Sequence, residues 1–260
     1  MTRTILFVFA HPDDESHWGS GVAARYHDEG VRTVLVTATR GERGTTGGLC
    51  SAEDLARVRE QELREAADIL RFDALEILPY QDKELASAPV EEIQRSLVAT
   101  IRRERPAVVV TFDPNGLTFH TDHLAISRFT SDAIAAATDA RWHPELGAPH
   151  TVGRLLWTPP VMPWDEGEFA PRAGVDFLID TAAWWQQRAR ALSAHRTQRA
   201  TLDTLYLRRP DVERVLGFDV LRQAWGPALE RRPADDLFAG MTAGAMAADR
   251  RAGRDGSRPS

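Results

Sequence analysis

Two nearly continuous apolar runs constrain this chain more than any other feature: Ile5-Leu6-Phe7-Val8-Phe9-Ala10 and Ala107-Val108-Val109-Val110-Thr111-Phe112. A strand with one wet face alternates apolar and polar residues. A run without alternation needs cover on both faces, as in a parallel sheet layered by helices. Further strand-length apolar stretches occupy residues 32–38, 75–78, 154–157 and 175–179, with the first two runs read as strands 4–10 and 107–112. Helical spacing lies between them. Residues 53–70 carry Leu55, Val58, Leu63, Ala66, Ala67 and Leu70, and residues 90–103 carry Val90, Ile93, Leu97, Val98 and Ile101. Each set makes one apolar stripe that must cover a sheet. Strand and helix in alternation predict an α/β fold: a doubly wound, mostly parallel, Rossmann-like sheet flanked by helices.

From His143 to Arg172 the character changes. Pro144, Pro149, Pro159, Pro160, Pro163 and Pro171 fall there with Trp157 and Trp164. Prolines at that density interrupt regular structure, so residues 141–175 are expected to form an aromatic-rich excursion roofing a substrate pocket. Helical patterns resume over 181–207 and 212–229. Residues 1–247 are expected to form a single α/β domain, and 248–260, rich in Arg, Gly and Ser, a disordered tail.

Composition excludes several classes. Thirty-two basic against 38 acidic residues give a formal charge of −6, the wrong balance for a dedicated nucleic-acid binder. The lone Cys50 excludes an intrachain disulfide framework and a cysteine-built zinc site. No apolar run approaches the ~20 residues that span a bilayer. The first apolar run passes straight into charged residues with no small-residue cleavage site, so a soluble, cytoplasmic protein is expected, with no membrane partner.

In open parallel sheets, ligands bind beyond the carboxyl ends of the strands. Both apolar runs end in unusual polar clusters. His11-Pro12-Asp13-Asp14-Glu15 follows the first; Asp113-Pro114-Asn115-Gly116 and then His120-Thr121-Asp122-His123 follow the other. Three consecutive carboxylates at the mouth of a buried strand repel one another, and a bound cation would relieve this. Two imidazoles and a carboxylate suit a catalytic zinc with one position left open. His120 and His123 stand three apart near the start of an expected helix over 121–140, on one face. Five candidates exceed one tetrahedral ion, so of adjacent Asp13 and Asp14 one ligates while the other faces the metal's water. Alone, His-x-x-His is a common accident of helix surfaces, and Asp-Asp-Glu an ordinary anionic helix start. Together, at the ends of the two most apolar strands, they point to a metal site. The same donors could hold iron for an oxygenase, but the adjacent carboxylate offers a ready general base and favours hydrolysis.

Gly19-Ser20-Gly21-Val22-Ala23-Ala24 fits the dinucleotide fingerprint and raises an NAD(P)-binding oxidoreductase as an alternative. Its position argues otherwise. Residues 11–18 separate it from the strand end, and the three acids among them repel a pyrophosphate. Close packing of the helix on the sheet is the favoured reading. The loop Arg40-Gly41-Glu42-Arg43-Gly44, continued by Gly47-Gly48, lacks Gly-Lys-Ser/Thr and is no phosphate loop, although Arg40, Glu42 or Arg43 could reach a substrate. No serine lies in G-x-S-x-G, so a covalent hydrolase is unsupported.

At these motifs the chain resembles the PIG-L/LmbE-like superfamily of metal-dependent de-N-acetylases. That superfamily's A-H-P-D-D-E stands here as Ala10-His11-Pro12-Asp13-Asp14-Glu15, and its H-x-D-H as His120-Thr121-Asp122-His123. Supporting likenesses are Thr39-Arg40-Gly41-Glu42, Arg59 and Glu62 on the next helix, Asp82 in a short loop, and Ala191-Leu192-Ser193-Ala194-His195-Arg196-Thr197-Gln198 as the late H-x-S/T-Q helix. The resemblance implies His11, Asp14 and His123 as ligands of Zn2+, with Fe2+ or another divalent metal as the alternative. It implies Asp13 as general base and His120 as the group that stabilises the oxyanion and protonates the leaving amine. Asp122 would orient His120, Arg59, Asp82 and Arg40 would bind substrate, and Glu15 would stand behind the ligands. The implied reaction is removal of an N-acetyl group from an N-acetylglucosaminyl small molecule by attack of metal-bound water, with an amidase of thiol conjugates as its neighbour. Thr121 replaces a common proline, and Thr118 stands where some thiol-pathway relatives carry a gating tyrosine, which weakens the match to their substrate. Eukaryotic members have a membrane anchor that this chain lacks, favouring a soluble substrate. Relatives often assemble into trimers or hexamers, so a homo-oligomer is one expectation.

Overall fold

In the computed structural model, which describes residues 3–158 and 174–241, the two non-alternating runs become neighbouring strands. β1 (Thr4–Phe9) and β4 (Val108–Phe112) are buried at every position. They pair in parallel, Ile5 opposite Val108 and Phe7 opposite Val110. Besides these, the chain forms α1 (Asp14–His17), α2 (Ser20–Asp28), β2 (Arg32–Thr39), α3 (Leu55–Leu70), β3 (Ala74–Tyr80) and α4 (Val90–Glu104) before β4. After it come α5 (Gly116–Phe119), α6 (Thr121–Ala137), β5 (Arg154–Thr158), β6 (Phe177–Asp180), α7 (Trp185–Ala194), α8 (Arg199–Leu202), α9 (Val212–Val215) and β7 (Phe218–Trp225). The sheet runs in the order β3-β2-β1-β4-β5-β7-β6. Pairing is parallel from β3 to β5, whereas β7 is antiparallel to both β5 and β6.

The helices cover the sheet with the stripes that their spacing predicts. α4 buries Ile93, Leu97, Val98 and Ile101, and α3 buries Leu55, Leu63, Ala66, Ala67 and Leu70. Each such large apolar side chain taken from water stabilises the fold by roughly 1.5–3 kcal/mol. Val90, at the start of α4, is exposed. α4 packs on α6, while α3 packs on α7 and α2. Strand order reverses between β1 and β4: the chain leaves β1 towards β2 and leaves β4 towards β5. Such a switch point opens a crevice at the carboxyl ends of the two strands.

Three expectations are corrected. The helix expected over 212–229 stops at Val215, and Phe218–Trp225 is a strand. Its alternation was hidden because one inward position is a carboxylate, Asp219, which accepts the Val22 N–H at 2.8 Å and the Arg188 guanidinium at 2.8 Å. The helix expected over 181–207 breaks at His195, between α7 and a 3-10 turn at Arg196–Gln198. The helix expected over 121–140 ends at Ala137. Residues 159–173 of the proline-rich excursion and the tail 248–260 lie outside the described residues.

The dinucleotide alternative also fails on geometry. A Cβ on Gly21 would stand 2.5 Å from the Thr181 Oγ1 and 2.8 Å from an Asp219 oxygen. The start of α2, where a pyrophosphate would sit, already holds the Asp219 carboxylate on the Val22 N–H. Among the described residues, no helix is long and apolar enough to cross a membrane.

Candidate active site

β1 and β4 end side by side, which carries the two polar clusters into one crevice. His11 Nδ1 lies 3.3 Å from His123 Nε2 and 3.5 Å from Asp14 Oδ2, and His123 Nε2 lies 3.4 Å from Asp14 Oδ1. Ligand bonds of ~2.0–2.1 Å around a tetrahedral ion place donor atoms about 3.3 Å apart. The triangle therefore has the dimensions of a metal face.

Hydrogen-bond partners decide which nitrogens are free. His11 Nε2 faces Asp122 Oδ2 at 3.0 Å and Asp82 Oδ1 at 3.2 Å. Ionised carboxylates only accept, so Nε2 carries the proton and the Nδ1 lone pair is turned to the triangle. His123 Nδ1 donates to the Gly116 carbonyl at 3.2 Å, leaving Nε2 as the acceptor. Its ring stacks on Phe112 with centroids 3.9 Å apart and planes within 8°. Asp14 is held by the backbone N–H groups of His11, at 2.7 Å, and Ala10, at 3.2 Å.

Electrostatics also call for a cation. Burial opposes a charged His11, yet the Asp122, Asp14 and Asp82 carboxylates outweigh it and hold its pKa well above the imidazole range. Burial likewise opposes a charged Asp14, but His123 and His11 hold its pKa well below the carboxylate range. Three carboxylates around one imidazole demand positive charge. A divalent ion between Nδ1, Nε2 and Asp14 would supply it, so the donor set fits the metal implied by the sequence. Two wider groupings, His11 with His120 and His123, and His11 with Asp82 and Asp122, have ligand atoms within 4.8 Å of one another. In the second, His11 is already hydrogen-bonded through Nε2, as an oriented ligand would be.

His120 stands beside the triangle, its ring centroid 4.8 Å from His11 and 4.7 Å from His123. Its Nδ1 accepts the Asp122 N–H at 3.2 Å, so the neutral ring carries its proton on Nε2. Burial first, and then His11 and His123, lower its pKa and keep it neutral. Asp13 is half-buried with φ at 102°, a left-handed conformation that non-glycine residues rarely adopt. Its Oδ1 lies 3.4 Å from Arg59 Nη2, and its N–H donates to Glu15 Oε2 at 3.1 Å.

Four of the expected site residues have partners within the protein. Arg59 is only 4% exposed; its guanidinium donates to the Gly41 carbonyl at 2.9 Å and to the Pro12 carbonyl, leaving it engaged inside the protein instead of towards a substrate. Asp82 is buried between His11 and the Arg43 N–H; burial opposes its charge, but His11 outweighs it and holds its pKa down at about 2. Asp122 turns its carboxylate to His11 and to the N–H groups of Lys83 and Leu85, and meets the His120 ring only through its own backbone N–H. Arg40 pairs with Glu60 at 2.7 Å on α3. Glu15 is buried and paired with His195 at 2.7 Å. The convergence of Asp82 and Asp122 on one imidazole has no local sequence signal, because it joins a loop after β3 to the start of α6.

Comparison with known proteins supplies the family. The sequence pattern of the family described as PIG-L, GlcNAc-PI de-N-acetylase, matches residues 6–134, a span that contains His11, Asp13, Asp14, His120 and His123. The 1D-myo-inositol 2-acetamido-2-deoxy-alpha-D-glucopyranoside deacetylase of Geodermatophilus obscurus is 31% identical over an alignment covering 92% of this chain and 98% of its own. Among solved structures, the conserved protein TT1542 from Thermus thermophilus is 28% identical with a TM-score of 0.67, covering 86% of this chain and 95% of its own. The N,N'-diacetylchitobiose deacetylase from Pyrococcus horikoshii, 21% identical with a TM-score of 0.68 over 85% of this chain and 83% of its own, shares the fold. On the strength of the near full-length relative and the matched motifs, the chain belongs to the PIG-L family of GlcNAc-PI de-N-acetylases.

Proposed function

We propose that this protein is a divalent-metal-dependent de-N-acetylase acting on a small molecule that carries an N-acetylglucosaminyl group, releasing acetate and a free amine. The observation that carries the reading is the meeting of His11 Nδ1, His123 Nε2 and Asp14 in a triangle of 3.3–3.5 Å edges. His11, Asp14 and His123 would hold the ion, and two imidazoles with one carboxylate favour zinc while also suiting iron(II). When bound, such an ion lowers the pKa of water and polarises the amide carbonyl.

The chain's own residues divide the remaining chemistry. Asp13, next to Asp14 in sequence, is the general base that takes the proton of the attacking water. His120, neutral with its proton on Nε2, donates a hydrogen bond to the oxyanion, a contribution of about 3–4 kcal/mol for one donor in a dry site. The proton that Asp13 has taken is then delivered to the leaving nitrogen, which balances the step and leaves the His120 Nε2–H in place on the oxyanion. Asp82 and Asp122 lock the His11 tautomer.

The relatives support the substrate class, since a 2-acetamido-2-deoxy-glucose unit is common to the named substrates of the Geodermatophilus and Pyrococcus proteins. Residues 1–247 are read as one catalytic unit. β5 runs parallel to β4 and so ends at the same edge of the sheet as the site. Acetate release from N-acetylglucosaminyl-inositol, from N,N'-diacetylchitobiose and from an acylated thiol conjugate tests the reading. Zinc-dependent acetate release from either sugar is expected. Cleavage of the thiol conjugate alone would replace the proposal with an amidase, and inactivity on all three would remove it.

A further inference from the structure

A circuit of buried polar side chains, closed in part through the backbone of α3 and of the turn after α7, begins and ends on the half-buried Asp13. Arg59 and Glu62 stand three apart on α3, on one helix face, with exposures of 4% and 0%. Arg59 reaches Asp13 Oδ1 at 3.4 Å. Glu62 reaches the turn after α7, where Oε1 accepts the Thr197 N–H at 2.9 Å and Oε2 the Thr197 hydroxyl at 2.7 Å. Two residues back, His195 Nε2 meets Glu15 Oε1 at 2.7 Å. The other oxygen of Glu15 accepts the Asp13 N–H at 3.1 Å and completes the circuit.

Burying two carboxylates, an imidazole and a guanidinium is costly, and packed apolar residues of similar volume often stabilise a fold as well or better. Stability alone is therefore a weak reason for the circuit. Asp13 offers a stronger one. A non-glycine residue at φ 102° persists only where its surroundings over-determine it. The circuit grips this residue twice, by its amide through Glu15 and by its carboxylate through Arg59. A two-point hold fixes the direction of the carboxylate as well as its position. Neither Glu62 nor His195 hydrogen-bonds to His11, Asp14 or His123 among the described residues.

We propose that His195 and Glu62 are positioning residues, which aim the Asp13 carboxylate through Glu15 and Arg59 without touching substrate or metal. The inference rests on the reading of Asp13 as general base. Thr197 is the joint between the two arms.

A double-mutant cycle on the zinc-loaded protein tests it. His195→Ala and Thr197→Val are expected to lower kcat about 10- to 100-fold, the cost of a misplaced catalytic group, with KM and zinc content unchanged. His195→Gln, whose amide can still donate to Glu15, should recover most of the loss. In an Asp13→Ala background the same substitutions should change the residual rate by less than about twofold, because nothing remains to be aimed. Equal fold losses in both backgrounds, or loss of zinc with the activity, would mean a merely structural role and overturn the proposal. Thr197→Val removes one hydroxyl and carries the cycle if His195→Ala does not fold.

A second measurement is independent of turnover. Amide hydrogen exchange at Asp13, read by NMR, should quicken at least about tenfold in Thr197→Val while Val110 in β4 is unchanged. Unchanged exchange at Asp13 would overturn the circuit as a positioning device. A parent protein that releases no acetate would instead remove the proposed function, and the exchange data would then decide the circuit alone.

Discussion

His11 Nδ1 and His123 Nε2 face each other at 3.3 Å across 112 positions of sequence, each with its other ring nitrogen already committed to an acceptor. Two lone pairs aimed at one point beside a carboxylate repel unless something positive lies between them. The arrangement fits the divalent ion proposed above, and that proposal has measurable consequences.

His11→Ala and His123→Ala should each lose stoichiometric zinc, because either change leaves two donors where three are needed. Elemental analysis after dialysis against a weak chelator reads the result. One zinc per chain in either variant would contradict the ligand set.

Asp13→Ala should keep its zinc and lose turnover by about 10²–10⁴-fold, the range for a positioned general base. Parental rates on an N-acetylglucosaminyl substrate would show that another group takes the proton.

The metal-free protein should depend on pH in a defined direction. Burial opposes the His11 cation but three carboxylates win, so its folded pKa is raised. The stability it contributes is fully present below the unfolded value of ~6.5 and is lost as pH rises through the folded value. Asp82 has the opposite sign: with its folded pKa held down at about 2, its contribution is present above ~3.9 and disappears as pH falls through the folded value. In chelator, the difference in Tm between parent and His11→Gln should shrink as pH rises above the unfolded value of ~6.5. A difference that widens over that range would contradict the assignment.

Gly21→Ala should lower unfolding free energy by about 1–3 kcal/mol through overpacking, since its Cβ would collide with Thr181 and Asp219. Chemical denaturation checks the loss. Titration with NADH should show no binding to the parent, and saturable binding would revive the dinucleotide reading.

What the sequence disclosed depended on whether a signal was local. β1 and β4 were legible because burial on both faces writes an unbroken apolar run, and the α3 and α4 stripes because they repeat with the helix. The two polar clusters were legible because they stand at the ends of those strands. β7 was not, because Asp219 occupies an inward position and disguises its alternation as polar. The family resemblance implies Arg59 and Asp82 as substrate contacts, and nothing in their own sequence surroundings says which way they face. Their burial against Gly41, Pro12, His11 and the Arg43 N–H is settled by packing between elements distant in sequence. Likewise, no neighbour in sequence announces that Asp122 serves His11 more than His120.

The most direct test is a crystal structure of the zinc-loaded protein with the ion located by anomalous scattering. The account predicts a single site bonded at about 2.0–2.1 Å to His11 Nδ1, Asp14 and His123 Nε2. An ion held instead by His11 Nε2 with Asp82 and Asp122, or bound away from His123 altogether, would contradict it.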